Sequence, residues 1–489
     1  SAYSSRPFVV SYPTAAGVLN DFAPAVSFGV GTASTFNQQT IKDFNNDGKA
    51  DIVVGTTTGL YLLTNRTTPG SSALSFTAQA LTISLNIRAL SAEDLDGDGL
   101  PDLGLNATNS TLLVYKNVSS VGGSISFSTT GIALGSSGFY SVGISDLDAD
   151  GRPDIVMAGN NGSSIYIYRN VSSSSISFST AITSFTSGGG SIFALAIGDI
   201  DGDGKPDLVT ANYSSPNIYI NRNTSSGPGS ITFASSYGFT AQSNSRALAL
   251  GDFNGDDKLD IATANYGNGA YVSVLPNTSV SGTINGNSFG SPLLLQPAGS
   301  NTEAVAIGDV NGDGKADLVS AGYNAAVVSV FRNTTTSTVI GFSDYSSYTD
   351  PSGTNSTTEG NNMGLADLNN DGLLDIIRCN YSTSNLSIFR NVQLVPPIYI
   401  ADFSPKQGPV SSTTVTIVGS GFNSTPSNNV VFFGSTRGTI IDSGSSSTSL
   451  LVSVPLGANY QYLSVTNLGT QLSAYSSRPF VVSYPTAAG

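Results

Sequence analysis

The sequence predicts an all-β protein, a seven-bladed β-propeller followed by a small immunoglobulin-like β-sandwich. Short apolar runs such as SIYIYRN and VVSVFRN are bounded by Gly, Asn and Ser, as strands and turns are. No long window shows helical periodicity. An acidic loop recurs seven times at intervals of 51 to 58 residues, and strands without this loop follow the last copy. Regular repetition of one strand-rich unit indicates a closed repeat architecture.

The repeated loop has the pattern D-x-[DN]-x-D-G-x-x-D, with Asp257 in place of the glycine in the fifth copy. Its copies begin at Asp43, Asp94, Asp146, Asp199, Asp252, Asp309 and Asp367. Apolar runs flank each loop, so we expect the loop to join two strands. The fourth repeat divides into SIFALAIGD, PDLVTANY, NIYINRN and SITFASS. These are the four strands that one propeller blade requires.

Each loop offers the oxygen atoms of a calcium site. A Ca²⁺ ion takes six to eight oxygens at about 2.3–2.6 Å. Positions 1, 3, 5 and 9 supply Asp or Asn side chains, position 7 supplies its backbone carbonyl, and a glycine at position 6 permits a sharp turn. The predicted ligands are Asp43, Asn45, Asp47, Lys49, Asp51, Asp94, Asp96, Asp98, Leu100, Asp102, Asp146, Asp148, Asp150, Arg152, Asp154, Asp199, Asp201, Asp203, Lys205, Asp207, Asp252, Asn254, Asp256, Lys258, Asp260, Asp309, Asn311, Asp313, Lys315, Asp317, Asp367, Asn369, Asp371, Leu373 and Asp375.

Charge favours a metal over a plain turn in these loops. Asp-Gly turns also occur in hairpins that bind no metal. However, 24 of the 33 acidic residues lie at ligand positions, and carboxylates at this density repel one another unless a cation neutralises them. We therefore expect about seven calcium ions, one in each blade. The fifth site is the weakest match, because Asp257 must adopt the left-handed conformation there at some cost.

The loops and their flanking strands resemble the FG-GAP/VCBS repeats of integrin-alpha-like propellers and of many bacterial surface proteins. The resemblance covers about residues 22–392. It implies a propeller with one calcium loop per blade, placed between the first two strands of the blade.

The two ends of the repeat region complement each other. After NLSIFRN, at 385–391, the seventh blade has no fourth strand, whereas APAVSFGVG, at 23–31, precedes the first loop as a strand without a blade. Pairing residues 25–30 with the seventh blade would close the ring and cover an exposed strand edge. We therefore assign residues 22–395 to the propeller.

Residues 396–489 form a second domain plus a linker. They contain about seven short apolar runs and no calcium loop, which fits an immunoglobulin-like sandwich. The segments FSPKQGP, VTIVGSGF, VVFFG and VSVP resemble the IPT/TIG family. That resemblance implies a spacer or an adhesion unit.

Residues 1–17, SAYSSRPFVVSYPTAAG, are identical to residues 473–489. We interpret residues 1–17 as the terminal strand and linker of a preceding immunoglobulin-like repeat. The favoured explanation is a covalent tandem array with a period of 472 residues. The alternative is strand exchange between separate subunits, a known mode of β-protein assembly, although each chain already has its own copy of the strand.

Composition argues against catalysis and points to a structural role. The chain has no histidine, the commonest general base, and most of its aspartates lie in the loops. A net charge of −14 without a basic cluster does not fit nucleic-acid binding. No apolar stretch reaches the roughly 20 residues of a membrane span, so we expect no membrane insertion. We predict a non-enzymatic unit of an extracellular or cell-surface fibre or adhesin, stabilised by calcium.

A lectin-like or protein-binding module, which recognises a glycan or a surface partner through a propeller face, is the alternative function. The absence of Trp weakens it, because Trp is a favoured platform for stacking. Asparagines in N-x-[ST] sequons are either favoured turn residues or glycan acceptors. Six of the fourteen sequons share the turn after the third strand of a blade, at Asn65, Asn117, Asn170, Asn223, Asn277 and Asn333.

Overall fold

Four-stranded antiparallel sheets fill most of the computed structural model of this protein. The structure describes residues 21–482 except 30–35, 108–111, 135–138, 160–162, 174, 213–216, 243, 268–270, 300, 323–325, 337, 352–362, 381–384, 393–397, 435, 459–460 and 469–471. The segment 1–17 that we assigned to a preceding repeat, and the domain boundary at 395–396, lie outside the described residues. Both assignments stay predictions.

Seven of the sheets are the blades of a propeller. Blades 1 to 3 consist of β2–β5 (Phe36–Lys42, Asp51–Thr56, Leu60–Asn65, Phe76–Ala80), β6–β9 (Ile87–Glu93, Asp102–Ala107, Leu112–Tyr115, Ile132–Leu134) and β10–β13 (Phe139–Ser145, Asp154–Gly159, Ser164–Asn170, Phe178–Thr186). Blades 4 to 6 consist of β14–β17 (Ile192–Gly198, Asp207–Asn212, Asn217–Asn221, Tyr237–Thr240), β18–β21 (Ser245–Gly251, Asp260–Asn265, Val272–Leu275, Leu293–Leu295) and β22–β25 (Thr302–Gly308, Asp317–Gly322, Val327–Phe331, Ser346–Thr349). Blade 7 consists of β26–β28 (Met363–Ala366, Asp375–Asn380, Asn385–Phe389) and β1 (Val26–Gly29).

The blades surround a common axis. The first strand of each blade packs against the first strand of both neighbouring blades, and β2 of blade 1 completes the circle against β26 of blade 7. All six residues of every second strand are buried. These strands are covered on both faces, so apolar residues occupy both faces of each strand and do not alternate strictly with polar ones.

The predicted ring closure is confirmed. Strand β1 pairs antiparallel with β28, with Val26 opposite Ile388 and Gly29 opposite Asn385. The first blade and the last blade also share a core cluster that includes Ile52 and Ile388. A strand from before the first loop therefore completes the seventh blade.

The expected position of the fourth strand in blade 4 is wrong. We expected SITFASS, at 230–236, to form this strand, but β17 occupies Tyr237–Thr240. Phe233 instead makes an isolated β-bridge with Asn223, and this bridge closes the turn after the third strand. The same isolated Asn–Phe bridge occurs in three other blades, where the segment precedes the outer strand. In blades 1 and 3 the equivalent Phe76 and Phe178 begin the fourth strand, as expected.

The C-terminal sheet has eight strands that fold over one apolar core. Its strands are β29–β36 (Tyr399–Ser404, Gln407–Gly408, Thr414–Ser420, Asn429–Phe433, Thr436–Ile441, Ser449–Ser453, Gln461–Asn467, Leu472–Val482). The core joins β31, β32, β34, β35 and β36, and the rings of Phe433 and Phe480 meet edge to face at 5.3 Å. This arrangement confirms the predicted β-sandwich. Within the described residues, no helix has the length and apolar character that crossing a bilayer requires.

Candidate metal centres

The seven acidic loops follow one backbone course between the first and second strands of their blades. Position 6 is left-handed in every loop, with φ between 84° and 88° at the six glycines and 63° at Asp257. Asp257 thus takes the conformation that the sequence required of it. Position 4 is also left-handed, and the signal that the sequence analysis missed is Gly or Asn at this position in six of the seven loops. The residues at this position are Asn46, Gly97, Ala149, Gly202, Gly255, Gly312 and Asn370.

The aspartate at position 1 organises its loop. In blade 4, Oδ1 of Asp199 accepts a hydrogen bond from the backbone N–H of Asp203 at 3.1 Å, and Oδ2 accepts one from Gly204 at 2.8 Å. The same two bonds occur in all seven loops, at 3.0–3.3 Å and 2.7–2.8 Å. The chain therefore curls around the first carboxylate at every site.

The aspartate at position 9 is completely buried in all seven blades. In blade 4, Oδ2 of Asp207 accepts the N–H of Ile200 at 3.0 Å, and Oδ1 accepts the N–H of Asn223 at 2.7 Å. The other six blades repeat this pair of bonds. The sequence indicated this residue only as a ligand, but it also ties the loop to the third strand. A carboxylate has about four acceptor sites, so these bonds leave room for a metal.

Carboxylate oxygens converge in blades 2, 3 and 4. In each blade, three aspartates place one oxygen apiece within 4.8 Å of the others. These groups are Asp94, Asp96 and Asp102; Asp146, Asp148 and Asp154; and Asp199, Asp201 and Asp203. Hard oxygen donors at this density fit Ca²⁺. The full sets of five ligands in the seven loops stay a prediction.

Burial of these carboxyl groups disfavours their ionised form. Burial, together with a smaller effect of neighbouring aspartates, raises the pKa of Asp94 to about 6 and that of Asp102 to about 8. Burial has the same effect in blade 1, where the pKa of Asp51 rises to about 8. A bound divalent cation would remove this electrostatic cost.

An asparagine at the end of each third strand links neighbouring blades. The Nδ2 atom of Asn223 donates to the carbonyl of Pro206 in its own loop at 3.0 Å and to that of Leu147 in the preceding loop at 2.9 Å. The other six blades repeat both bonds, and Asn65 of blade 1 reaches Leu368 of blade 7. The inter-blade asparagines are Asn65, Asn117, Asn170, Asn223, Asn277, Asn333 and Asn391.

This geometry explains the regular spacing of six sequons. The inter-blade asparagines are 0–2% exposed, and the nitrogen atom that a glycan would modify already donates two hydrogen bonds. Asn391 makes the same contacts although NVQ is not a sequon. The amide therefore serves the packing of the blades at these positions, and a glycan does not fit there in the folded chain.

Replacing an inter-blade asparagine is expected to destabilise the ring. Asn223→Ala leaves the buried carbonyls of Leu147 and Pro206 without their donor, which should lower the free energy of unfolding by about 2–4 kcal/mol. Urea denaturation in calcium measures the loss. The matched control is Thr224→Ala, because Thr224 is the next residue and is exposed. Equal stability of the two variants would contradict the role assigned to the amide.

The C-terminal domain lies on the face of the propeller that carries the acidic loops. Arg478 donates to the carbonyl of Asp47 in blade 1 at 3.4 Å. The backbone N–H of Ser473 donates to the carbonyl of Gly312 in blade 6 at 3.1 Å. Arg437 forms an ion pair with Asp257 in blade 5 at 3.1 Å. Three loops therefore help to hold the two domains together.

Two tyrosines of the C-terminal domain point into this face. Burial raises the pKa of Tyr462, whose nearest charges include Asp43 of blade 1 and Asp367 of blade 7. The hydroxyl oxygen of Tyr462 is buried and has no hydrogen-bond partner among the described residues. Burial likewise raises the pKa of Tyr475, which lies beside Asp309 of blade 6. Sequence patterns give no signal for these contacts, because the partners belong to different domains.

A cavity of about 610 Å³ remains between the two domains. The loops of blades 3 and 4 line one side of it, and Val410, Phe432, Leu456 and Val482 line the other. The acidic loops of these two blades thus face an interdomain space with an apolar wall.

Comparison with protein families identifies both parts of the chain. The model of the FG-GAP-like repeat matches residues 43–105, 94–157, 146–210, 199–263 and 309–378, and these matches contain all seven acidic loops. The model of the IPT/TIG domain matches residues 397–482. No curated protein matches the sequence.

Solved structures resemble the fold at low sequence identity. A BBS1N chain crystallised in complex with ARL6DN is 13% identical, with 77% of this chain and 97% of that chain covered and a TM-score of 0.48. A functionally unknown protein from Desulfotomaculum acetoxidans is 14% identical, with 63% and 84% covered and a TM-score of 0.43. A chain of polycomb repressive complex 2 from Chaetomium thermophilum is 11% identical, with 63% and 70% covered and a TM-score of 0.43.

Proposed function

Because this chain belongs to the FG-GAP-like repeat family and carries an IPT/TIG domain after its repeats, we propose that it is a non-enzymatic structural unit of an extracellular fibre or surface adhesin. An FG-GAP propeller followed by an IPT/TIG domain fits an extracellular adhesion or structural module, and such domains are typically non-catalytic. In this proposal, one calcium ion per blade stabilises the ring. The recurrence of one loop geometry in all seven blades supports the ions.

The identity of residues 1–17 and 473–489 carries the fibre proposal. Residues 473–482 form most of β36, which pairs antiparallel with β35 and parallel with β30. Phe480 of this strand is fully buried in the core of the domain, and Ser473 contacts blade 6. A second copy of the segment has the sequence needed to complete another such domain. Copies of the same chain are therefore the proposed partners, joined in a covalent tandem array.

Electron microscopy of the native material, together with the mass of the denatured polypeptide, tests the fibre. A regular fibre built from polypeptides far heavier than 50.0 kDa is the expected result. Fibres built from chains of about this mass would replace the covalent array with strand exchange. Isolated single units would contradict the fibre and favour the lectin-like alternative, for which glycan arrays are the next measurement.

A matched pair of substitutions separates the two modes of assembly. Phe8 and Phe480 occupy equivalent places in the identical segments. In a covalent array the purified 489-residue chain stays monomeric, and Phe8→Asp has no effect on its mass. Under strand exchange, Phe480→Asp weakens the chain's own strand and increases oligomers, whereas Phe8→Asp abolishes them. Sedimentation at several concentrations measures both outcomes.

A further inference from the structure

Position 3 of the acidic loop is aspartate in three blades and asparagine in the other four. Each of the three aspartates pairs with a cation of its own blade. We propose that Lys116, Arg169 and Arg222 are internal counter-ions that reduce the calcium affinity of the aspartate-rich loops of blades 2, 3 and 4. The inference rests on the proposed calcium sites and adds residues that set how tightly those sites hold the ion.

Three loops have aspartate at position 3, and each is bridged by a cation from the third strand of its own blade. Arg169 donates from Nε to Asp148 at 2.6 Å and from a terminal nitrogen to Asp150 at 2.5 Å. Arg222 makes the same two contacts with the equivalent aspartates, 2.5 Å from the second of them. Lys116 contacts Asp96 and lies 2.9 Å from Asp98.

The position of the cation is the same in all three blades. It immediately precedes the inter-blade asparagine, and it bridges the Oδ2 atoms at positions 3 and 5. The bridged carboxylates at position 3 are buried, with side chains only 0–2% exposed. Threefold repetition of the same bridge at buried carboxylates distinguishes it from an incidental surface ion pair.

The other four loops have asparagine at position 3, and no cation bridges positions 3 and 5 in their described residues. In blades 6 and 7, Nδ2 of Asn311 and Asn369 donates to the position-5 carboxylate at 3.2 Å and 2.8 Å.

The residue before the inter-blade asparagine differs among these four blades. It is neutral in blades 1 and 5. In blade 6 it is Arg332, which pairs with Asp21 of the closing segment, and in blade 7 it is Arg390, whose positive charge acts on Asp371. In blades 1 and 5 an amide thus takes the place of a carboxylate and a cation together.

The bridging cations offset the fourth carboxylate of the aspartate-rich loops. In blades 2 and 4, four carboxylates and one bridging cation carry a charge of −3, as do the three carboxylates of blades 1 and 5. In blade 3, Arg152 adds a second cation 3.1 Å from Asp150. A positive charge about 5 Å from a divalent cation repels it, by an amount equivalent to about a tenfold change in affinity even at the dielectric constant of water. Without the three bridging cations, blades 2 to 4 would therefore hold calcium more tightly than they do with them.

The test is a calcium titration of the triple variant Lys116→Gln, Arg169→Gln and Arg222→Gln, by calorimetry with a competing chelator. If the metal-free variant does not fold, the chelator is titrated into the calcium-loaded chain instead. Three sites are expected to bind about tenfold more tightly than in the unmodified chain. Adding Asp96→Asn, Asp148→Asn and Asp201→Asn restores the original net charge of each loop and should return the affinity to its original value.

Arg66→Gln is the control for loss of a single surface cation, because Arg66 is exposed and follows the inter-blade asparagine of blade 1. Unchanged or weaker calcium binding by the triple variant would overturn the inference. Weaker binding would make the three cations organisers of the loop rather than counter-ions. Failure of the unmodified chain to bind calcium would instead overturn the proposed function, so the two failures are distinguishable.

Discussion

Removal of calcium is expected to lower the melting temperature of this protein by on the order of 20 °C. Each ion that binds only the folded chain contributes about 2.7 kcal/mol at a hundredfold excess over its Kd, and the proposal places one ion in each of seven blades. The entropy of unfolding, about 2.1 cal/mol/K per residue, converts the sum into the shift. Calorimetry in calcium and in EGTA measures it. An unchanged melt in EGTA would exclude a structural role for the ions.

The pH dependence of the melting temperature provides a second test of the calcium sites. Burial raises the pKa of Asp51 and Asp102 to about 8 and that of Asp207 to about 7, against 3.8 in the unfolded chain. Their protonated forms therefore stabilise the metal-free fold below about pH 4, and this contribution is lost as the pH rises through 7–8. The metal-free chain should melt at a higher temperature at pH 5 than at pH 8. In saturating calcium the trend should reverse, because the ion binds the deprotonated form.

Substitution of Phe22 by alanine is expected to open the ring at its closure. Phe22 is 2% exposed, and its ring meets that of Tyr348 edge to face at 5.1 Å. It precedes the closing strand β1 and bridges Asn391 at the end of the seventh blade. Removing a buried phenylalanine side chain costs about 3–5 kcal/mol. Urea denaturation should show a loss of this size, together with proteolysis in the segment before β2.

Val26→Ala is the matched control for this substitution. Val26 lies in the closing strand β1, four residues after Phe22, and pairs with Ile388, but its side chain is 49% exposed. Its truncation should change the free energy of unfolding by well under 1 kcal/mol, since little apolar area is lost. If the two variants unfold alike, the apolar anchor of the closure lies elsewhere than at Phe22.

The sequence was sufficient for features that repeat along the chain. The seven acidic loops, their place between the first two strands and the left-handed Asp257 all follow from residues within nine positions of one another. The closure was also predictable, because the seventh blade lacks a strand and residues 23–31 form a strand without a blade. Local chemistry and a count of strands carry this information.

Features that join distant segments could not be predicted in this way. The amide of Asn223 bonds Leu147, which lies 76 positions earlier, and the sequence shows only a favoured turn residue with a sequon. Tyr462 and Tyr475 contact loops of the other domain, to which no periodicity refers. These two features concern partners that are close in space but remote in the chain. The expected strand at 230–236 failed for a local reason, because Phe233 pairs with Asn223 only ten positions earlier and the outer strand begins at Tyr237.

The adjacent ends of the propeller decide how a fibre of such units would respond to tension. The chain enters at Asp21 and leaves at Val392, and these residues share a hydrogen bond of 2.7 Å. Force would therefore pass through this junction and bypass the rest of the ring. Because β1 and β28 are antiparallel and loaded at the same end, their bonds would break one after another, as in a zipper. Each opened ring would release roughly 370 residues, or roughly 1,200 Å of extended chain. The closure would therefore be the part of each propeller that yields first under tension.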